Sequence, residues 1–271
     1  MFVKIKMIQI FFLLLFAIYC IYFAFLINLE PMKLNKINTY TPIYYINLDH
    51  QTDRRKNIIE LIDMLGFKNV KRIPAVKVKY LEDVEKYKTL IDPEKYKNLL
   101  ENNKNNSRKN HYDLTNGSVG CFLSHINIYK DIITRNIPYA IVFEDDLVIK
   151  DSKQVFWNKI NNIDIPADTD IFLVDAIIKD KNLKDGINKI NFFFLTTFYI
   201  ITNKGAKTIL ENIFPIKFQI DSQLSSLSYK NKIKIYGVKG NLINTSIGTM
   251  GSDIQNLSCK DCPMNDDELM K

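Results

Sequence analysis

Cysteine is scarce in this chain of 271 residues: there are four, and they form no framework. Cys20 lies in an apolar N-terminal segment and Cys121 in a mostly apolar stretch, which leaves Cys259 and Cys262 as a lone C-K-D-C. With no second pair, that motif does not complete a four-ligand zinc site, and its sulfurs are expected to be free thiols or one local disulfide. Histidine occurs three times and tryptophan once, Trp157, which is expected in the core. No cluster of Lys and Arg with interleaved aromatics is present. The excess of 37 basic over 30 acidic residues, a net +7, is therefore too diffuse to argue for nucleic acid and suits phosphates or lipid headgroups instead. Internal repeats are lacking too. Hydrophobic residues at 46% and charged residues at 25% exclude wholesale disorder and a collagen-like chain.

One long apolar run is present and no second one. Ile10 to Ile27 carries no charge, and about 20 such residues at ~1.5 Å each cross a hydrocarbon core of roughly 30 Å. A cleaved signal peptide would have a shorter apolar region ending at small residues, so residues 1–30 are expected to be an uncleaved signal anchor in the lipid bilayer. Lys4 and Lys6 precede the run, and Glu30, Lys33 and Lys36 follow it. That bias predicts a cytosolic N-terminus, with the bulk of the chain in a lumen or outside, as in a single-pass type II protein. Residues 31–41 then form a stem, 42–256 one folded domain and 257–271 a tail.

The domain alternates strand and helix signals. Ile43–Asn47 reads as a buried strand, Ile58 to Leu65 as a helix face stopped by Gly66, and Val70–Val76 as a second strand. Lys77–Asn110 is charged and Asn-rich, an expected insertion of loose helices. Ser118 is placed to cap a helix whose apolar residues run from Val119 to Ile133 at a 3.6 period. Tyr139–Phe143 and Ile171–Val174 read as strands, Lys189–Thr202 as a β pair or one long β region, Asn203–Ile213 as a helix, Asp221 as the start of another, and Ile233–Val238 as a late strand. This order predicts an α/β domain of three layers with a largely parallel sheet.

Chemistry concentrates at Glu144-Asp145-Asp146, where an apolar strand ends. Ligands of open α/β sheets bind beyond the carboxyl ends of strands. Alternation along a strand predicts that Glu144 and Asp146 face the same way. Carboxylates so close repel, and a hard divalent cation relieves them, Mn²⁺ or Mg²⁺ leaving sites open for a diphosphate. A solvated acidic turn is the plainer alternative. His125 falls near the edge of the apolar helix face, as a site residue or an ordinary helix histidine. Arg54 and Arg55 open a helix, either to meet a phosphate or as a solvated first turn. Gly117–Gly120 is too short a pattern for a phosphate loop. Of four N-x-S/T sequons, the one at Asn116 is expected to stay bare beside this region.

Together these segments resemble glycosyltransferase family 25, the lipooligosaccharide and procollagen galactosyltransferase group. The matching pieces are Ile46-Asn47-Leu48-Asp49 with Asp53-Arg54-Arg55, then Gly120-Cys121-Phe122-Leu123-Ser124-His125 and Glu144-Asp145-Asp146. Weaker pieces are Tyr199, Gly205-Ala206, Asp221 and Ser252-Asp253-Ile254-Gln255. The resemblance implies a GT-A-like fold and a UDP-sugar donor, with a galactose or glucose moved to a glycan or a protein acceptor of the hydroxylysine type. It also implies Mn²⁺ (or Mg²⁺) at Glu144 and Asp146, and a donor pocket formed by Asn47, Asp49, Arg54, Arg55, His125 and Asp145. Inversion at the sugar needs a carboxylate base, for which Asp221 is the candidate, with a helix cap as its rival role. Two departures from the family pattern stand out: Ser222 where a His is usual after the Asp, and Leu195-Thr196-Thr197 where a Gly is usual.

Overall fold

The structure is a computed structural model, which describes residues 37–247 together with 15, 16, 18, 19, 254, 257–259, 262, 263, 269 and 270. Most of the expected anchor and stem therefore lies outside the described residues. Among the described residues no helix is long and apolar enough to cross a membrane.

In chain order the elements are β1 (Ile43–Asn47), α1 (Thr52–Leu65), β2 (Val70–Pro74), α2 (Leu81–Glu85), α3 (Pro93–Asn105), α4 (Asn116–Thr134), β3 (Tyr139–Glu144), β4 (Leu147–Ile149), α5 (Lys153–Asn161), β5 (Ile171–Ile178), β6 (Ile187–Lys189), β7 (Phe193–Thr202), α6 (Asn203–Asn212), α7 (Ile220–Tyr229), β8 (Ile235–Val238) and β9 (Thr245–Ile247). Seven strands form one sheet in the order β2-β1-β3-β7-β5-β8-β6, and β4 pairs with β9 beside it. β2, β1 and β3 run parallel, and β7 runs against both β3 and β5. β8 follows β5, and β6 opposes β8. Five strands thus share one direction and two oppose it, so the sheet is mostly parallel. The expected β pair or one long β region at Lys189–Thr202 is the long region: β7 covers Phe193–Thr202 near the centre of the sheet, and β6, which ends at Lys189, lies at its edge.

The two-residue period of the strands builds two cores. Tyr44, Ile46, Val142, Tyr199, Ile201 and Leu173 face one side and pack with α4, α6 and α7. Their neighbours Ile43, Tyr45, Ile141, Phe143, Phe198 and Ile200 face the other, with Ile58, Ile62 and Leu65 of α1 and Phe156 of α5. A central sheet that buries both faces needs helices on both, which gives the three layers. Trp157 packs at the margin of the second core and donates its indole N–H to Leu65 O at 3.0 Å.

Local chemistry sets the element ends. Gly66 stops α1 at φ 88°, where its N–H reaches the carbonyls of Ile62 and Asp63. The cap of α4 is Thr115 rather than Ser118. The Thr115 hydroxyl accepts from Ser118 N, and Ser118 Oγ accepts from Thr115 N, so the expected cap is the third residue of a capping box. Two glycines are required by close approach. A Cβ on Gly120 would lie 2.3 Å from Val76 O, and one on Gly205 would lie 2.4 Å from Asp170 O. Gly120 thereby lets α4 lie against the chain leaving β2, where Ser124 Oγ accepts from Val76 N at 2.9 Å.

Candidate active site

Parallel pairing in register sets Ile46 beside Glu144. The carboxyl ends of β1 and β3 therefore deliver Asn47 and the acidic triplet to one place. A cleft of about 440 Å³ opens there, walled by Asn47, Leu48, Arg54, Cys121, Ser124 and Glu144-Asp145-Asp146, with Lys77 and Lys79 on its side toward β2. The floor is acidic and the rim basic, a distribution suited to an anionic ligand that carries a cation.

The three carboxylates have three different environments, because β3 ends at Glu144 and a turn follows. Strand alternation therefore does not govern Asp146, although Glu144 and Asp146 both line the cleft. Glu144 accepts a 2.6 Å hydrogen bond from Thr196 Oγ1 and faces His125 Nε2 at 3.4 Å. Burial alone would raise its carboxyl, but His125 and Thr196 outweigh that and hold it below the ordinary value. Asp145 is clamped: Arg54 Nη1 donates to Oδ1 at 3.0 Å and Asn47 Nδ2 to Oδ2 at 2.6 Å. Burial still prevails there and raises the carboxyl above its usual range. Asp146 Oδ1 is buried with no hydrogen-bond partner among the described residues. Burial first, and the charge of Glu144 second, push that carboxyl up to about 7.

A buried carboxylate oxygen without a partner, next to an ionised glutamate on a cleft floor, is what a hard divalent cation would complete. Glu144 and Asp146 therefore fit the metal role. Asp146 keeps its proton at about pH 6 and loses it by about pH 8, and a cation competes with that proton only at the lower pH. The rise in Tm on adding Mn²⁺ should therefore be larger at pH 8 than at pH 6. Equal gains at both would place the ion elsewhere.

The other residues expected at the site are sorted by the same geometry. Arg54 is buried rather than solvated, and it lines the cleft while pairing with Asp145. Asn47 is buried in a full set of bonds: its amide also donates to Gln51 O, and its Oδ1 accepts from Arg55 Nε at 2.8 Å and Arg72 Nε at 3.1 Å. Asp49, Arg55, His125 and Asp221 are not among the cleft-lining residues. Arg55 holds Asn47 and the Asp49 carbonyl, and the exposed Asp49 carboxylate pairs with Arg72 at 2.5 Å, which lowers its pKa. Arg54→Met should cost about 3–5 kcal/mol in urea unfolding, because it strands the Asp145 carboxylate in the interior. A loss under ~1 kcal/mol would show that the pair is not a structural clamp.

His125 is fully buried, with 0% exposure, and not at the edge of the apolar face. Its Nδ1 lies 2.8 Å from Tyr199 Oη and its Nε2 3.3 Å from Thr196 Oγ1. Asp221 is not the N-cap of α7, which is Gln219, but a first-turn residue of that helix. Its Oδ2 accepts from Leu195 N at 3.0 Å, and its Oδ1 accepts from Ser222 N and Oγ. Burial raises this carboxyl despite those donors. Leu195 stands at φ 73°, left-handed backbone that a branched side chain rarely takes. It opens a bulge: from Asp175 to Ile177 β5 advances two residues while β7 goes from Phe198 to Phe194. The bulge aims Thr196 at Glu144.

The sequence reading missed Thr196 and Arg72. Thr196 sits where the family pattern usually has Gly, and that departure was the one available signal. Arg72 occupies an ordinary strand position, and only the register Tyr45↔Arg72 brings it to Asn47. The Cys259–Cys262 pair is a disulfide. Nearby, Arg108 N donates to Ser258 O and His111 N to Pro263 O, while Ile254 O accepts from Thr115 Oγ1 and Ile254 lines the cleft. Asn116 is buried, and its amide donates to Lys79 O and Asn103 Oδ1, so it has no room for a glycan.

Comparison with known proteins finds relatives of this chain. The model of the family described as Glycosyltransferase family 25 (LPS biosynthesis protein) matches residues 40–224. A "Glycosyltransferase 25 family member" of Anopheles gambiae is 29% identical over 186 residues, covering 62% of this chain and 28% of that protein. "Procollagen galactosyltransferase 1-A" of Xenopus laevis is 31% identical over 117 residues, 43% of this chain and 18% of its own length. "Inactive glycosyltransferase 25 family member 3" of Mus musculus is 46% identical over 41 residues, 15% of this chain and 7% of its own. The chain spans less than a third of the length of these relatives.

Proposed function

Because the chain belongs to glycosyltransferase family 25, we propose that it transfers a hexose, galactose or glucose, from a UDP-sugar to a glycan hydroxyl or a hydroxylysine-type protein hydroxyl. The observation that carries this reading is Asp146 Oδ1, buried without a hydrogen-bond partner among the described residues beside Glu144 on the floor of a basic-rimmed cleft. Glu144 and Asp146 would hold Mn²⁺ or Mg²⁺, whose positive charge offsets the charge of the leaving diphosphate. Arg54, Lys77 and Lys79 stand on the cleft wall where donor phosphates would lie. Asn47 and Arg54 keep Asp145 from moving, and Thr196 orients Glu144. Asp221 supplies the carboxylate that takes the proton of the acceptor hydroxyl as the sugar inverts, and its raised pKa favours accepting it.

The uncharged run at Ile10–Ile27 anchors the enzyme in a bilayer as a single-pass type II protein with its domain in a lumen or outside. Deleting residues 1–30 should release the protein from membranes, and its retention after a high-salt wash would rule out a single anchor.

The test of the activity is a donor screen. The full chain in detergent is incubated with Mn²⁺ and each UDP-sugar, with and without glycan and hydroxylysine-peptide acceptors, and UDP release is measured. Release that depends on metal and acceptor supports the proposal. Metal-dependent UDP binding with no release in any combination would put the chain with its inactive relatives.

A further inference from the structure

The C-x-x-x-H of α4 and the glutamate at the end of β3 bring three possible metal ligands together. Cys121 and His125 are four residues apart on one helix, so their side chains share a face. Their ligand atoms and that of Glu144 all lie within 4.8 Å of one another. The His125 Nε2 to Glu144 Oε1 separation is 3.4 Å, about the edge of a tetrahedron whose centre lies ~2.0–2.1 Å from each corner. Tyr199 completes the pattern from behind. Its hydroxyl donates to Tyr129 Oη at 3.1 Å, which leaves its oxygen to accept Nδ1–H of His125 at 2.8 Å. A hydrogen bond on the far nitrogen is how metal-ligating histidines are held, and it directs Nε2 toward Glu144. Cys121 and Glu144 both line the cleft, so the centre is open on one side and closed on the other.

We propose that Cys121, His125 and Glu144 bind a borderline-soft divalent ion, Zn²⁺ by preference, with the cleft side left for a fourth ligand. The donor set decides the metal: thiolate and imidazole select Zn²⁺, whereas the oxygens of Glu144 and Asp146 suit Mn²⁺ or Mg²⁺. Binding displaces the proton of the Cys121 thiol, so one H⁺ leaves as one Zn²⁺ enters. The two centres share Glu144 and cannot both be filled with it. One consequence rests on the function proposed above: Zn²⁺ would inhibit Mn²⁺-supported transfer. The site itself does not depend on that reading.

Cobalt reports on the ligands. The full chain in detergent, without reductant so that Cys259 and Cys262 stay paired, is titrated with Co²⁺, and the near-ultraviolet thiolate-to-cobalt charge-transfer band is followed. One equivalent should produce the band and Zn²⁺ should erase it. Cys121→Ser should abolish it and weaken Zn²⁺ at least ~100-fold against a chromophoric chelator, and Tyr199→Phe should weaken Zn²⁺ about 10–100-fold. Asp146→Asn should leave the band intact, which separates this centre from the Mn²⁺ site. Absence of the band, its survival in Cys121→Ser, or its loss in Asp146→Asn would each overturn the proposal.

Discussion

Asp146→Asn is expected to abolish transfer, by at least ~10³-fold, while leaving the protein folded. Of the three acidic residues at the end of β3, two already have partners. Glu144 is bonded to Thr196 and set against His125, and Asp145 is clamped by Arg54 and Asn47. Asp146 Oδ1 is buried with no hydrogen-bond partner among the described residues. Replacing it with an amide keeps the shape and removes the charge that would hold a hard cation. Several kcal/mol of charge stabilisation in the transition state depend on such an ion, and each ~1.4 kcal/mol is tenfold in rate. Folding should not suffer, since a carboxyl pushed up to about 7 is itself strained by its charge, and a neutral amide removes that strain. Calorimetry with UDP and Mn²⁺ beside a thermal melt checks both halves. Tight metal-dependent UDP binding by a stable Asp146→Asn protein would sink the proposed metal site.

The strand that carries the triplet was legible because its signal is local. Tyr139–Phe143 is a continuous apolar run, central strands of a sheet covered on both faces read that way, and the acidic residues follow at once. The helix α4 was legible for the same reason, from a 3.6-residue period. What the sequence hid is the set of contacts between distant segments. His125 has the spacing of a margin residue, yet Thr196, 71 residues later, and Tyr199, 74 later, enclose it. β7 gives no sign in its composition that it runs against its neighbours or that it bulges after Phe194. Asn47 lines the cleft, while Arg55 and Arg72 both hold its Oδ1, and Arg72 comes into register only when β2 pairs with β1. The motif I-N-L-D…D-R-R is in this fold largely a brace for Asp145.

Asp221→Asn is expected to lower turnover by about 10²–10⁴-fold with Mn²⁺ and UDP binding retained, as the loss of a general base requires. A second role complicates that result. Asp221 Oδ2 holds Leu195 N, and Leu195 at φ 73° opens the bulge that aims Thr196 at Glu144. An asparagine has one acceptor where the aspartate uses two, so the strut weakens together with the base. The two roles separate in a Leu195→Gly background. Glycine takes positive φ without steric cost, so the bulge no longer needs to be held against strain. If Asp221 serves only as the strut, Asp221→Asn in that background should be nearly silent, and the double-mutant cycle should show a coupling close to the whole single-mutant effect. If it is the base, the 10²–10⁴-fold loss should persist unchanged beside the glycine, because the acceptor proton still has nowhere to go. The pH profile offers an independent readout. A base with a carboxyl raised by burial gives kcat a rising limb above the ordinary aspartate range, and that limb should vanish in Asp221→Asn whether residue 195 is leucine or glycine. A limb that survives the substitution would assign the proton transfer to another group and leave Asp221 as the holder of Leu195.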